Sequence, residues 1–197
     1  MPSTAGSRMN QSGNGETANI ARPAEELVDD KLTLRRWRAD DADSLYAAAS
    51  SSLAELGRWM PWAAKGYSKD DADRFLRFTT GAWDADEEYD YAIVDDGRVS
   101  GSCGLIRRIG PDALEIGYWL AADATGRGLA TRAASLLVDA AFLLPVDRVQ
   151  IRHDRRNVRS EAIPRRLGFR CLGQQASPAP PETDIVWQLD RPRKQAA

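Results

Sequence analysis

The stretch ALEIGYWLAADATGRGLATRAASLLVDAAF, residues 113–142, changes its hydrophobic period from 2 to about 3.6 across a turn that holds two glycines. Leu114, Ile116, Tyr118 and Leu120 line one face of a strand, with Glu115, Gly117 and Trp119 on the other. Leu129, Ala133, Leu136, Leu137 and Ala140 then form a helical stripe. A strand that runs straight into such a helix must lay it back on a sheet, so the chain is an α/β protein. Gly126 and Gly128 bracket Arg127, and having no Cβ they admit positive φ or the close approach of another group. The first turn of a helix has unpaired N–H groups and a partial positive charge, so this junction is either an anion cradle or a bare tight turn. It is not a P-loop, because no Gly-Lys-Ser/Thr follows. Nor is it a dinucleotide fingerprint, because Thr131 stands where the third Gly or Ala belongs.

The other elements fall in order around that unit. KLTLRRW at 31–37 alternates like a strand with one buried face, and ADDADSLYAAASSSLAEL at 39–56 has helical spacing. In SKDDADRFLRFTTGAW, Ser68 and Asp71 have capping-box spacing, and Ala72, Phe75, Leu76 and Thr79 share a face. YDYAIVDDGRVSGSCGLIRRIG at 89–110 is a hairpin turned at Asp-Asp-Gly. VDRVQIRHD is a strand, NVRSEAIPRRLGF a helix closed by Gly168, and RCLGQQ and TDIVWQLD are strands around a Pro-rich loop. The order is βααβββαβαββ. Residues 1–28, opening MPSTAGSRMNQSGNGETAN, hold too few large apolar groups to offset the entropy of ordering and read as a flexible tail; 29–197 form one domain.

A net charge of -2 gives no basic field for nucleic acid. Cys103 and Cys171 lack metal-ligand spacing and His153 is the lone histidine, so no metal site is expected. Without a membrane-length apolar run or a signal-peptide pattern, the protein reads as reduced and cytoplasmic, with no membrane partner. His153 and Cys103 read as packed groups rather than catalytic ones.

Strand, glycine turn, helix, strand and then NVRSEAIPRRLGF, in that order, resemble the GNAT superfamily of acyl-CoA-dependent N-acyltransferases over about residues 31 to 190. That family's turn, Arg/Gln-x-x-Gly-x-Gly/Ala, is matched by Gly128 and Ala130, whereas Thr125 replaces the usual Arg or Gln. GYWL, N-x-x-S followed by LGF, and RWMPWA are similar to the Rim-type branch, which includes ribosomal-protein N-terminal acetyltransferases. The resemblance implies an α/β (α+β) fold with a mixed sheet of about seven strands, splayed between the fourth and fifth and flanked by about four helices. It implies acetyl-CoA as cofactor, no metal, and direct transfer to a primary amine. A protein N-terminus or a small molecule is the acceptor. A non-catalytic acyl-CoA-binding module is the alternative from another class, and the molecule is a monomer or homodimer.

Carried over residue by residue, the pattern puts the pyrophosphate on Thr125, Gly126, Arg127, Gly128, Leu129, Ala130 and Thr131. Trp119, Leu120 and Ala121 line the pantetheine arm, and a backbone N–H near Leu120 or Ala121 points at the thioester oxygen. Asn157 contacts coenzyme A, and Asn157 is equally a good helix N-cap. Glu115 matches the position of a general base, and it equally suits a carboxylate paired with an arginine such as Arg107. The family's tyrosine acid is absent, since Pro164 stands in its place, which leaves Ser160 or water to reprotonate the thiolate. Trp59, Trp62, Trp83 and Tyr91 are the aromatic candidates for the acceptor cleft, where core packing is the default for tryptophan. The acidic run Asp84, Asp86, Glu87, Glu88 and Asp90 would attract a cationic amine there.

Overall fold

Local chemistry places the first helices. In the computed structural model, which describes residues 22–176 and 183–192, the Ser68 hydroxyl accepts the Asp71 N–H at 3.2 Å while the Asp71 carboxylate accepts the Ser68 N–H at 2.8 Å. This capping box starts helix α3 (Lys69–Asp84), whose buried side is Ala72, Leu76, Thr79, Ala82 and Trp83. The helix expected over 39–56 forms as two pieces, α1 (Ala42–Ser50) and α2 (Leu53–Leu56). They part at Ser51 and Ser52, where Ser51 donates its hydroxyl to Ala48 O at 3.2 Å and Ser52 Oγ accepts the Ala122 N–H at 2.9 Å. Serine hydroxyls compete with the helical ladder in this way.

Strands β1 (Glu26–Asp29) and β2 (Leu32–Arg36) form an antiparallel hairpin. β3 (Glu88–Asp95) and β4 (Arg98–Ile106) form a second, turned at Asp96 and Gly97 with φ of 48° and 80°, as the Asp-Asp-Gly signal predicts. β5 (Ala113–Leu120), helix α4 (Leu129–Leu143) and β6 (Arg148–His153) make a crossover unit. Helix α5 (Val158–Arg166) and strands β7 (Arg170–Ala176) and β8 (Thr183–Asp190) follow. The sheet has eight strands in the order β1-β2-β3-β4-β5-β6-β8-β7, one more than expected. The addition is β1, which lies at the end of the segment assigned to the tail and crosses its boundary at Asp29. Leu27 packs against the core, Arg36 N–H donates to Glu25 O at 2.7 Å, and Arg22 pairs with Asp86 at 2.5 Å. A four-residue strand offers too little periodicity to stand out in a sequence. Residues 1–21 and the Pro-rich loop at 177–182 lie outside the described residues.

The pairing of β5 governs the rest. It is parallel to β6 only from Ala113↔Arg148 to Ile116↔Ile151, yet it stays on β4 as far as Gly101↔Leu120. The two strands therefore part at Gly117, which is the expected splay. One sheet face carries the main core with α4; on the other, Trp37, Leu45, Ala72, Leu76 and Ala92 form a second cluster under α1 and α3. The far end of α4 is tied down by Arg191, whose guanidinium donates to Phe142 O at 2.6 Å, Leu144 O at 2.5 Å and Val146 O at 2.8 Å. Phe142 O is one of the carbonyls that a helix end leaves without an intrahelical partner; the other two belong to the turn that follows. Arg191→Ala removes three charge-assisted bonds at once and is expected to cost about 2 kcal/mol, read as a lower urea midpoint with an unchanged m-value.

Candidate active site

Helix α4 begins at Gly128, its N-cap, in the left-handed region with φ 78° and no side-chain cap. Gly126 has the same φ, and a Cβ built on either glycine meets no atom within 4 Å. No acidic residue sits in the first turn and no side chain caps it, so the N–H groups of Leu129, Ala130 and Thr131 are left without an intrahelical or capping partner beside the cleft. They form one end of a cleft of about 550 Å³ that runs past Tyr118, Trp119 and Leu120 to Leu56, Trp59 and Met60, with Asn157, Arg159, Ser160 and Arg166 along its side. Thr125 lines it too, with its hydroxyl held by Ala122 O at 2.8 Å.

Two of the residues expected to hold the cofactor are elsewhere. Arg127 turns back to Asp95 at 2.6 Å, because Asp95 ends a neighbouring strand and is nearly buried. Ala121 is buried, and its N–H donates to Ser100 O at 2.8 Å. Since the Ala121 N–H points to β4, strand alternation turns the N–H groups of Tyr118 and Leu120 the opposite way, into the splay, where β6 no longer pairs with β5. Of the two positions proposed for the thioester donor, Leu120 has the right direction.

Asn157 caps α5, its side-chain oxygen accepting the Ser160 N–H at 3.1 Å, and it also lines the cleft. Pro164 lies inside α5, where it has no N–H to give to Ser160 O. Tyr118 occupies that space instead. Its hydroxyl is 3.4 Å from Ser160 O and 2.9 Å from Ser160 Oγ. A tyrosine hydroxyl thus meets α5 from the facing strand, at the splay itself. Burial pushes the Tyr118 phenol up to about 12, the Ser160 hydrogen bond opposing it, so it stays protonated at neutral pH. Tyr118 was not singled out as a site residue because its alternation reads as core.

Glu115 does not face the cleft. Its side chain is 4% exposed, and Arg108 grips both carboxylate oxygens, with Nε 3.0 Å from Oε2. Arg152 Nε stands 3.5 Å from the same oxygen. Arg108, rather than Arg107, is the partner; Arg107 lies over the Tyr89 ring. A carboxylate fixed by one bidentate arginine and flanked by a second is a structural ion pair, which corrects the assignment of Glu115 as base.

The aromatic candidates divide. Trp59 lines the cleft; Trp62, 40% exposed, packs on Trp119 at 5.6 Å and on Tyr67 at 5.2 Å between ring centroids. Trp83 and Tyr91 are corrections: both are buried, stacked edge to face at 5.0 Å, and Tyr91 donates its hydroxyl to Ala24 O. The strand phase of Tyr91 and the inward side of α3 decide this. His153 accepts the Trp187 indole N–H at 3.0 Å and Cys103 is buried, so both are packing residues as expected. The acidic run splits as well. Asp84 and Asp86 are paired to Arg36 and Arg22, whereas Glu88 and Asp90 lie on the sheet face.

A profile of the family described as "Acetyltransferase (GNAT) domain" matches residues 31–170. The chain belongs to the GNAT acetyltransferase family. It is 30% identical over 151 residues, 72% of its own length and 79% of the relative's, to the Bacillus subtilis (strain 168) protein named "Putative ribosomal N-acetyltransferase YdaF". Its fold matches that of the microcin C7 self-immunity acetyltransferase MccE in complex with acetyl-CoA and AMP, with a TM-score of 0.77, 21% identity, and coverage of 83% of this chain and 94% of that one. It also matches RimL, the ribosomal L7/L12 alpha-N-protein acetyltransferase in complex with coenzyme A, with a TM-score of 0.75, 19% identity, and coverage of 83% and 96%. The name of the relative YdaF, a ribosomal N-acetyltransferase, agrees with the resemblance to the Rim-type branch. Among the described residues no helix is long and apolar enough to cross a membrane, and no group of three His, Cys, Asp or Glu is placed to hold a metal.

Glu115→Gln leaves Arg108 and Arg152 facing a neutral amide. It is expected to destabilise the fold by about 3 kcal/mol in urea unfolding while leaving the shape of the pH–rate profile as in the wild type. Loss of the acidic limb would restore Glu115 as the base.

Proposed function

We propose that this GNAT enzyme transfers the acetyl group of acetyl-CoA directly to the N-terminal amine of a protein, in the cytoplasm. The observation that carries the reading is one continuous cleft with an uncapped helix N-terminus at one end and a splay with inward N–H groups at its middle. A pyrophosphate needs donors and room. The N–H groups of Leu129, Ala130 and Thr131 supply donors, Gly126 and Gly128 leave the room, and Arg159 and Arg166 add positive charge beside them. When bound, acetyl-CoA supplies the activated acyl group. Tyr118 and Leu120 then present backbone donors in the splay, and the Tyr118–Ser160 hydroxyl pair holds a proton where the leaving sulfur needs one. That pair answers the absence of a helix tyrosine at Pro164, which together with Thr125 lends weight to a non-catalytic binding module.

For the acceptor, the names of YdaF and RimL favour a ribosomal protein. The exposed Trp62 beside Trp119 gives the incoming chain an aromatic wall. The test is thiol release from acetyl-CoA with a panel of peptides bearing free N-termini and a panel of small amines. A peptide should be turned over or inhibit as a competitor at millimolar concentration; if only small amines react, the acceptor is a small molecule.

Gly128→Val is expected to abolish coenzyme A binding in calorimetry while the thermal unfolding transition persists, because a β-branched side chain is strained at φ 78° and fills the cradle. Tyr118→Phe is expected to lower kcat about a hundredfold with acetyl-CoA affinity retained. Full turnover by this variant would return the proton donor to Ser160 or water.

A further inference from the structure

One buried acid is left over from the functional reading. Asp90 is 7% exposed, and its Oδ2 has no hydrogen-bond partner. Thr79 Oγ1 on α3, also buried and without a well-formed hydrogen bond, stands beside the Asp90 carboxyl, as does the side chain of Glu88. A buried carboxyl with an unpartnered oxygen is costly, so its surroundings bear on what it does.

The sheet register gives the surroundings. Asp90 pairs with Gly104 on β4, and Gly104 pairs with Gly117 on β5, so the three residues form one row across the same sheet face. On one side runs the row Glu88, Ile106, Glu115; on the other runs Ala92, Ser102, Trp119. Two glycines in succession make the middle row a trough. The Asp90 carboxyl lies along it: a Cβ on Gly104 would come 2.4 Å from Asp90 Oδ1. At the other end, a Cβ on Gly117 would touch only Ile106 Cδ1, at 3.5 Å. Gly117 is the first residue past the last β5–β6 pair, and its neighbour Trp119 lines the cleft. The trough therefore runs from the splay to Asp90, and from Gly104 to Gly117 it is one strand spacing, about 4.8 Å, wide enough for a single bridging water.

We propose that Asp90 receives the proton that the acceptor ammonium must lose, through one water in the trough floored by Gly104 and Gly117. This rests on the transferase reading above and supplies the base that Glu115 is not free to be. In the step, one N–H bond of the ammonium breaks and one O–H bond forms on Asp90, the water relaying the proton. The amine keeps its lone pair, and the proton passes to Glu88, two residues along the same face and half-buried, and then to solvent. The charged and titratable groups around Asp90 are Glu88 on its own strand, the Glu115–Arg108 pair in the next row, Arg152 on β6 and the buried Cys103 thiol. Burial, reinforced by the Glu88 carboxylate, holds the Asp90 carboxyl well above the usual carboxylate range, which raises its affinity for a proton.

Asp90→Asn and Gly117→Ala are compared with the wild type for turnover across pH, acetyl-CoA affinity by calorimetry, and urea midpoint. Asp90→Asn is expected to lower kcat about a hundredfold and to abolish the rise of rate with pH, with affinity kept within about twofold. Its stability has a sign fixed by linkage. The folded carboxyl titrates above the unfolded one, so the wild type loses stability relative to the variant as pH rises above the unfolded carboxylate's range of about 4. Gly117→Ala should show the same fall in kcat at unchanged midpoint, because its methyl stands in the trough and presses on nothing. A normal pH–rate rise in Asp90→Asn, or full kcat in Gly117→Ala, overturns the proposal. If the wild type binds coenzyme A but acetylates no amine, the transferase reading itself fails, and does so before any variant is compared.

Discussion

A parallel pair of strands that stops pairing halfway is the constraint on which this molecule is built. After Ile116↔Ile151, β5 remains hydrogen-bonded to β4 while β6 stays paired only with β8. Unpaired strand edges inside a protein are costly, since each buried N–H and C=O without a partner forfeits most of a hydrogen bond. The opening is tolerable because it faces a cleft, where solvent or an amide-bearing ligand can take those groups. The N–H groups of Tyr118 and Leu120, the side chains of Tyr118 and Trp119 and the glycine trough all owe their positions to that divergence.

Helix α4 holds the opening from the other side. It crosses from β5 to β6, so its two ends set how far the strands can part. Its start is left chemically bare by Gly126 and Gly128, and its end is overbuilt by Arg191, which binds three carbonyls. This asymmetry is physically consistent. Donors left free at the N-terminus are useful only if the helix does not shift, and the guanidinium at the far end is what resists a shift.

Charge on the acceptor side is partitioned by register. Arg108 and Arg152 neutralise Glu115, Arg22 and Arg36 neutralise Asp86 and Asp84, and the pair Glu88 and Asp90 is left with no arginine bound to it directly. Burial raises the proton affinity of both carboxyls, and the Glu88 carboxylate raises that of Asp90 further, while the hydrogen bond from Asp90 acts the other way on Glu88. The acidic run that looked like a uniform field for an amine is thus mostly spent in ion pairs, with a proton-binding remnant at its end.

The order of elements, the glycine turn, the Ser68 capping box, the Asp-Asp-Gly hairpin and the Asn157 cap were legible in the sequence, because each depends on residues a few positions apart. The same holds for the cradle at Gly128: positive φ and a bare first turn are local properties. Four things were not legible, and for a common reason. Whether Glu115 meets the cleft or an arginine, whether Trp83 and Tyr91 face an acceptor or the core, whether a tyrosine stands at Ser160, and whether Asp90 has a path to the splay all depend on which residues lie side by side across strands. Tyr118 and Ser160 are 42 positions apart, and Arg22 and Asp86 are 64. The two glycines of the trough become one feature only when β4 and β5 pair in this register, since a slip of one residue would turn Gly104 or Gly117 to the opposite face. Sequence determined the parts that a helix turn or a hairpin can specify; the tertiary pairing decided which of them meet.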